Sequence, residues 1–83
     1  MTLDWSVEAS RLLKSELKRS GVTYRDLVDR LAEVGVTETE VSVRSKLKRG
    51  TFQFVFVVQC AYVLKLDTLR LDLSRQGPPT DAN

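Results

Sequence analysis

Two copies of the tripeptide Gly-Val-Thr, at residues 21–23 and 35–37, limit what this 83-residue chain can fold into more than any other feature. Glycine adopts the left-handed backbone that closes a helix at little steric cost. Threonine accepts a hydrogen bond from a backbone N–H in the first turn of the helix that follows it. Each tripeptide therefore reads as a helix stop joined to a helix start. An acid lies three residues past each threonine, Asp26 for Thr23 and Glu40 for Thr37, where its carboxylate can return the bond in a capping box. Val22 and Val36 are spaced to staple onto Leu27 and Val41.

The rest of the chain falls into place around these corners. Apolar residues at 5, 9, 12, 13 and 17 make one face of a first helix over 5–20, which Asp4 caps and Gly21 closes; Val7 lies off that stripe. A second helix over 24–34 carries Tyr24, Leu27, Val28 and Leu31 on one side, and a third runs over 38–49 to Gly50. The connection between them, Gly35-Val36-Thr37, has the length and chemistry of a helix-turn-helix corner. Residues 52–64 are apolar almost throughout. Their β-branched and aromatic content suits a strand, while their length and the Thr51 start suit a fourth helix. We expect the helix, because so small a domain needs one to cover the other three. Residues 68–73 alternate leucine with polar or charged residues, a strand pattern, and 74–83 carry no core residues and read as a disordered tail. The expected architecture is an all-α domain of four to five helices over 1–73, with a short C-terminal β-strand.

Composition narrows the function. There is no histidine and one cysteine, so His-based triads, His-ligated metals and thiolate zinc sites are all excluded. No Gly-rich phosphate loop occurs, and no pattern of residues calls for a cofactor or a small-molecule ligand. The expectation is a binding protein and not an enzyme. The lone Cys60, in an apolar run, fits a reducing cytosol; the start of the chain lacks secretory-signal character, and the apolar run is too short to span a bilayer. Net charge is only +2, but residues 11–50 hold ten Lys/Arg against six acids, and four of the ten fall between 44 and 49.

Those four define the third helix. At 100° per residue, Val36, Val43 and Leu47, with Glu40 at the margin, form its buried side. Opposite lie Glu38, Val41, Ser42, Ser45 and Arg49, with Lys46 and Lys48 on the flanks and Arg44 nearer the core edge. Small serines permit close approach to a major groove, arginine can bond guanine in bidentate fashion, and valine can meet a thymine methyl. Lys46, Lys48 and Arg49 would hold phosphates. Thr39 at the head of the helix joins this set, as do Lys18, Arg19, Tyr24 and Arg25 around the first corner, where a helix amino end can bond a phosphate. Simpler roles are open for several of them. The basic end complements the helix dipole, Val41 serves the staple, Tyr24 edges the core, and Glu38 would repel phosphate.

These motifs carry a resemblance. From Leu13 to Leu66 the spacing of the two Gly-Val-Thr units and of Lys48-Arg49-Gly50 is similar to the five-helix lambda-repressor/Cro-like DNA-binding superfamily. Trp5, residues 12–18, 21–24 and 46–50, Gln59-Cys60 and residues 68–71 more closely resemble a small uncharacterised bacterial family of that fold. The resemblance implies DNA binding. Two departures limit the transfer of individual roles: Tyr24 stands where the superfamily usually has Gln, and the turn over 31–37 is longer than the superfamily's.

A lone strand at 68–73 leaves backbone groups and a leucine edge unpaired, which a second copy could cover around a two-fold axis. Phe52, Phe56, Leu69, Leu71 and Leu73 are the candidate dimer contacts, the alternative being that the leucines cap the domain's own core. The expected function is sequence-specific binding of double-stranded, palindromic DNA as a cytoplasmic, nucleoid-associated homodimer regulating transcription, most simply as a repressor blocking promoter access. The competing expectation is a protein-interaction module, an inhibitor or adaptor, using the apolar surface of 52–73.

Overall fold

The computed structural model describes residues 4–71 and 73, and over them the chain is all-α. Its helices are α1 (Trp5–Ser20), α2 (Tyr24–Glu33), α3 (Glu40–Arg49) and α4 (Phe54–Val63). The Asp4 carboxylate opens α1 by accepting the N–H groups of Ser6 and Val7 at 3.1 and 3.3 Å. At the other end Gly21 turns left-handed, with φ 68°. Its N–H bonds the Lys18 carbonyl at 3.1 Å, and the Val22 N–H bonds the Leu17 carbonyl at 3.0 Å. That pair of bonds is a Schellman stop, and Val22 and Leu17 are both buried in the core.

The stop is repeated after α2. Gly35 has φ 83°, its N–H bonds Ala32, and the Val36 N–H bonds Leu31 at 2.9 Å. The two corners then diverge. Thr23 caps α2 at once, in a reciprocal box with Asp26. Thr37 caps nothing; α3 begins two residues after the expected start, at Glu40, with Thr39 as its cap. The Thr39 hydroxyl accepts the Ser42 N–H at 3.0 Å, and Ser42 Oγ accepts the Thr39 N–H at 2.9 Å. This box satisfies the same two kinds of donor that a Thr37–Glu40 box would. It also leaves Glu38 outside the helix, where its carboxylate reaches forward to Lys46 at 2.8 Å. Val41 consequently sits in the first turn, 73% exposed, and no staple to Val36 forms.

Among the described residues, eleven side chains from the four helices and their corners close the core, including Leu13, Leu17, Leu27, Leu31, Val43, Leu47 and Cys60. Removing one such leucine side chain costs about 2–5 kcal/mol. α3 packs on both α1 and α2, and α4 packs on α2. Arg30 of α2 donates to the Val63 carbonyl at 3.1 Å, satisfying the last turn of α4. Gly50, at φ 69°, closes α3 where it meets the start of α1; a Cβ there would lie 1.9 Å from the Ser6 carbonyl oxygen. α4 ends on a third Schellman turn, with Lys65 at φ 60° in the left-handed position that glycine fills elsewhere.

Four expectations are revised. Trp5, placed on the apolar stripe of α1, is 66% exposed, since the first turn of α1 meets the end of α3 through its backbone at Ser6. α4 is shorter than 52–64 and has no side-chain cap, so Thr51 does not start it. It covers α2 and not all three other helices, which leaves much of its apolar surface outside. The described residues of 68–73 form no strand, because a ladder needs a second segment paired alongside and none among the described residues pairs with them. The tail expected over 74–83 lies outside the described residues.

Candidate nucleic-acid interface

α3 is anchored by Val43 and Leu47, both essentially fully buried, so the opposite side of the helix must face outward. On it Val41, Arg44, Lys48 and Arg49 are exposed and Ser45 is half-buried. Arg44 lies at the core edge, exposed, its guanidinium 5.4 Å from the centroid of the Tyr24 ring, which packs against the core. Tyr24 is thus held half-buried beneath a cation, joining the start of α2 to the middle of α3. Arg49 donates to Ser45 Oγ at 2.7 Å.

Three of the expected contact residues have structural work instead. Ser42 is occupied by the cap and by a hydrogen bond to Glu38 at 2.5 Å. Thr39 is the other half of that cap, though it remains exposed. Lys46 does not flank a groove. Its Nζ bridges both Glu38 oxygens, at 2.8 and 2.9 Å, and lies 5.2 Å over the Phe56 ring, tying the α2–α3 corner to α4. Burial pushes the Glu38 carboxyl up, but hydrogen bonds from Lys46 and Ser42 and the Lys46 charge outweigh it and hold the group below its ordinary 4.5. Glu38 is therefore charged yet neutralised. Glu40 is met across the corner by Arg25 at 3.6 Å, and Arg25 also reaches Asp29 at 3.7 Å. Arg19 pairs with Glu16 at 3.3 Å.

Other cations have no acid partner among the described residues: Arg44, Lys48 and Arg49 on α3, and Lys14 and Lys18 on α1. Lys14 is absent from the expected contacts, as is Arg11, which pairs with Glu8 at 3.0 Å. With Lys18 they fall at i, i+3 and i+7, the spacing of one helical stripe, and that spacing is the sequence signal that finds them. The stripe borders an open trough of about 460 Å³ that Lys48 completes from α3.

The apolar candidates are also redistributed. Phe56 is 4% exposed and belongs to the core, so its ring is closed to a second copy. Phe52 is half-buried, its ring 5.9 Å from that of Phe56. Leu69 and Leu71 border a groove with Leu12, Leu13, Phe54 and Val57, which places 69–71 along α1 and α4 of the same chain. Leu71 and Leu73 stay exposed. The larger uncovered surface is on α4 itself, where Phe54, Val55, Val58 and Tyr62 are exposed along a helix with no charged residue. Cys60, on the opposite side, is fully buried, and desolvation with the nearby Glu38 charge pushes its thiol up to about 12, leaving it without thiolate reactivity. Among the described residues no helix is long and apolar enough to cross a membrane.

A family model described as a domain of unknown function, DUF6471, matches residues 5–69. No curated protein and no solved structure matches the chain.

Proposed function

The chain belongs to the DUF6471 family, and from its geometry we propose that it binds double-stranded DNA, with α2 and α3 acting as a lambda-repressor-like helix-turn-helix pair. One observation carries the reading. The acids at the head of α3 are closed off, Glu38 by Lys46 and Glu40 by Arg25, while Arg44, Lys48 and Arg49 point outward with no acid partner among the described residues. A helix whose nearby acids are neutralised and whose outward arginines have no acid partner among the described residues suits a polyanion. Arg44 is placed to read a base edge, Ser45 and Val41 permit close approach, and Lys48 and Arg49 hold phosphates. Tyr24 positions Arg44 and makes no phosphate contact of its own.

The exposed α4 face of Phe54, Val55, Val58 and Tyr62 supports association into a homodimer, taking over the role expected of Phe56. A two-fold pair would present two recognition helices to half-sites about 34 Å apart, as a nucleoid-associated transcription repressor does when it occupies a promoter. That same face favours the second reading, a protein-interaction module whose partner covers α4.

Selection of duplexes from a random pool by the full chain tests the first reading. It should enrich a palindromic site, and Arg44→Ala should weaken binding to that site by about 10- to 100-fold, as loss of one bidentate base contact does. A pool that returns no enriched sequence, together with a partner whose affinity is indifferent to salt, would favour the interaction module.

A further inference from the structure

We propose that the trough between α1 and the C-terminal end of α3 holds the phosphate backbone of one DNA strand, a contact that rests on the DNA-binding reading and extends it to a second helix. The trough is bordered by Val7, Ser10, Ser15, Arg11, Lys14, Lys18 and Lys48, so its border contains four cations and no acid. Lys14, Lys18 and Lys48 are exposed and without an acid partner among the described residues, whereas Arg11, Arg19, Arg25 and Lys46 are each closed by a carboxylate of this chain. Uncompensated like charges gathered along one trough repel one another, and a polyanion laid between them removes the repulsion.

The placement relative to α3 selects the duplex. Lys14 and Lys18 also border a second depression beside Thr23 and Tyr24, and Arg44 covers the Tyr24 ring. Arg44 and Lys48 are one helical turn apart on the outward side of α3. The cations of α1 therefore continue the outward face of α3 and do not form a separate patch. From Lys14 to Lys18 the helix rises about 6 Å, and a duplex strand carries a phosphate every 3.4 Å of its axis, so the two lysines span about two phosphates. An anionic membrane is the less suitable polyanion. Binding to its interface needs an apolar row beside the cations; on α1 Trp5 and Val7 are exposed at its start, but the rest of the apolar row is turned into the core through Leu13 and Leu17.

The experiment measures fluorescence anisotropy of the full chain on two unrelated mixed-sequence duplexes of about 30 base pairs, between roughly 50 and 200 mM salt. In Lys14→Ala/Lys18→Ala the slope of log affinity against log salt should fall by about 2, equally on both duplexes, since each phosphate contact contributes about 0.9. Lys65→Gly removes a cation remote from the trough and should leave the slope unchanged. Circular dichroism checks that the double variant is folded, as two exposed lysines predict. A double variant with the parental slope, while Arg44→Ala still weakens the selected site, overturns the trough and spares the DNA reading. A loss confined to anionic lipid vesicles, with duplex binding intact, assigns the trough to a membrane and also overturns it. A parent chain that binds no duplex at low salt overturns the DNA reading and the trough together.

Discussion

The corners at 21–23 and 35–37 share three residues and differ in what the third one does. Both Gly-Val pairs stop a helix by the same two backbone bonds, and both valines pack against the core. After the first, threonine starts the next helix immediately; after the second, the chain runs on extended to Thr39 before α3 begins. The stop is a local event, decided by glycine's conformational freedom and by bonds within one turn. The start is a choice between nearly equal caps, and a small external advantage settles it. At the second corner that advantage is the ion pair of Glu38 with Lys46, packed against Phe56, which exists only when Glu38 stays outside the helix.

The comparison breaks most severely at a third glycine. Gly21 and Gly35 have open space where a Cβ would be, so alanine there meets only the left-handed backbone penalty, about 1 kcal/mol. Gly50 adds a backbone clash with Ser6, and Gly50→Ala should cost about 3 kcal/mol or more, read as the loss of urea midpoint relative to Gly21→Ala. Equal losses would mean that α1 and α3 are not in backbone contact.

A smaller effect tests the device peculiar to the second corner. Lys46→Met keeps the stem over Phe56 but leaves the Glu38 carboxylate, with 12% of its side chain exposed, unpaired. The cost should be about 2 kcal/mol, between that of an exposed pair and a fully buried one. The pH dependence follows from the sign of the Glu38 shift. Its folded value lies below the ordinary 4.5, so its stabilisation is complete above that pH and is lost as pH falls through the folded value. Glu38→Gln should flatten the acid limb of stability below about pH 4.5, and an unchanged limb would show that the pair contributes nothing.

The smallest effect is the most direct. Thr23→Ala and Thr39→Ala should each cost about 1 kcal/mol, while Thr37→Ala should fall within about 0.5 kcal/mol of the parent. A Thr37→Ala variant as destabilised as Thr23→Ala would place the start of α3 at the second Gly-Val-Thr after all. Thermal melts of the three variants resolve the ranking.

What was legible follows the range of the forces. The bounds of α1 lie where Asp4 and Gly21 put them, because both act within one turn. The inward side of α3 was legible from the spacing of Val43 and Leu47, and its outward side in outline from the serines and basic residues between. Lys46 was not, since its partner lies eight residues back across a corner and its packing surface lies on another helix. The Arg11, Lys14 and Lys18 stripe can be phased from spacing, but it becomes a trough only when Lys48 arrives from α3.

By itself the sequence determined α1, α2 and the body of α3, their glycine stops, most of the leucines that would be buried and the absence of histidine chemistry, because these depend on local geometry and residue type. The tertiary structure decided where α3 begins, which cations remain free and which side of α4 stays uncovered. Each of those depends on which distant group arrives to compete for a hydrogen bond, a charge or a buried surface.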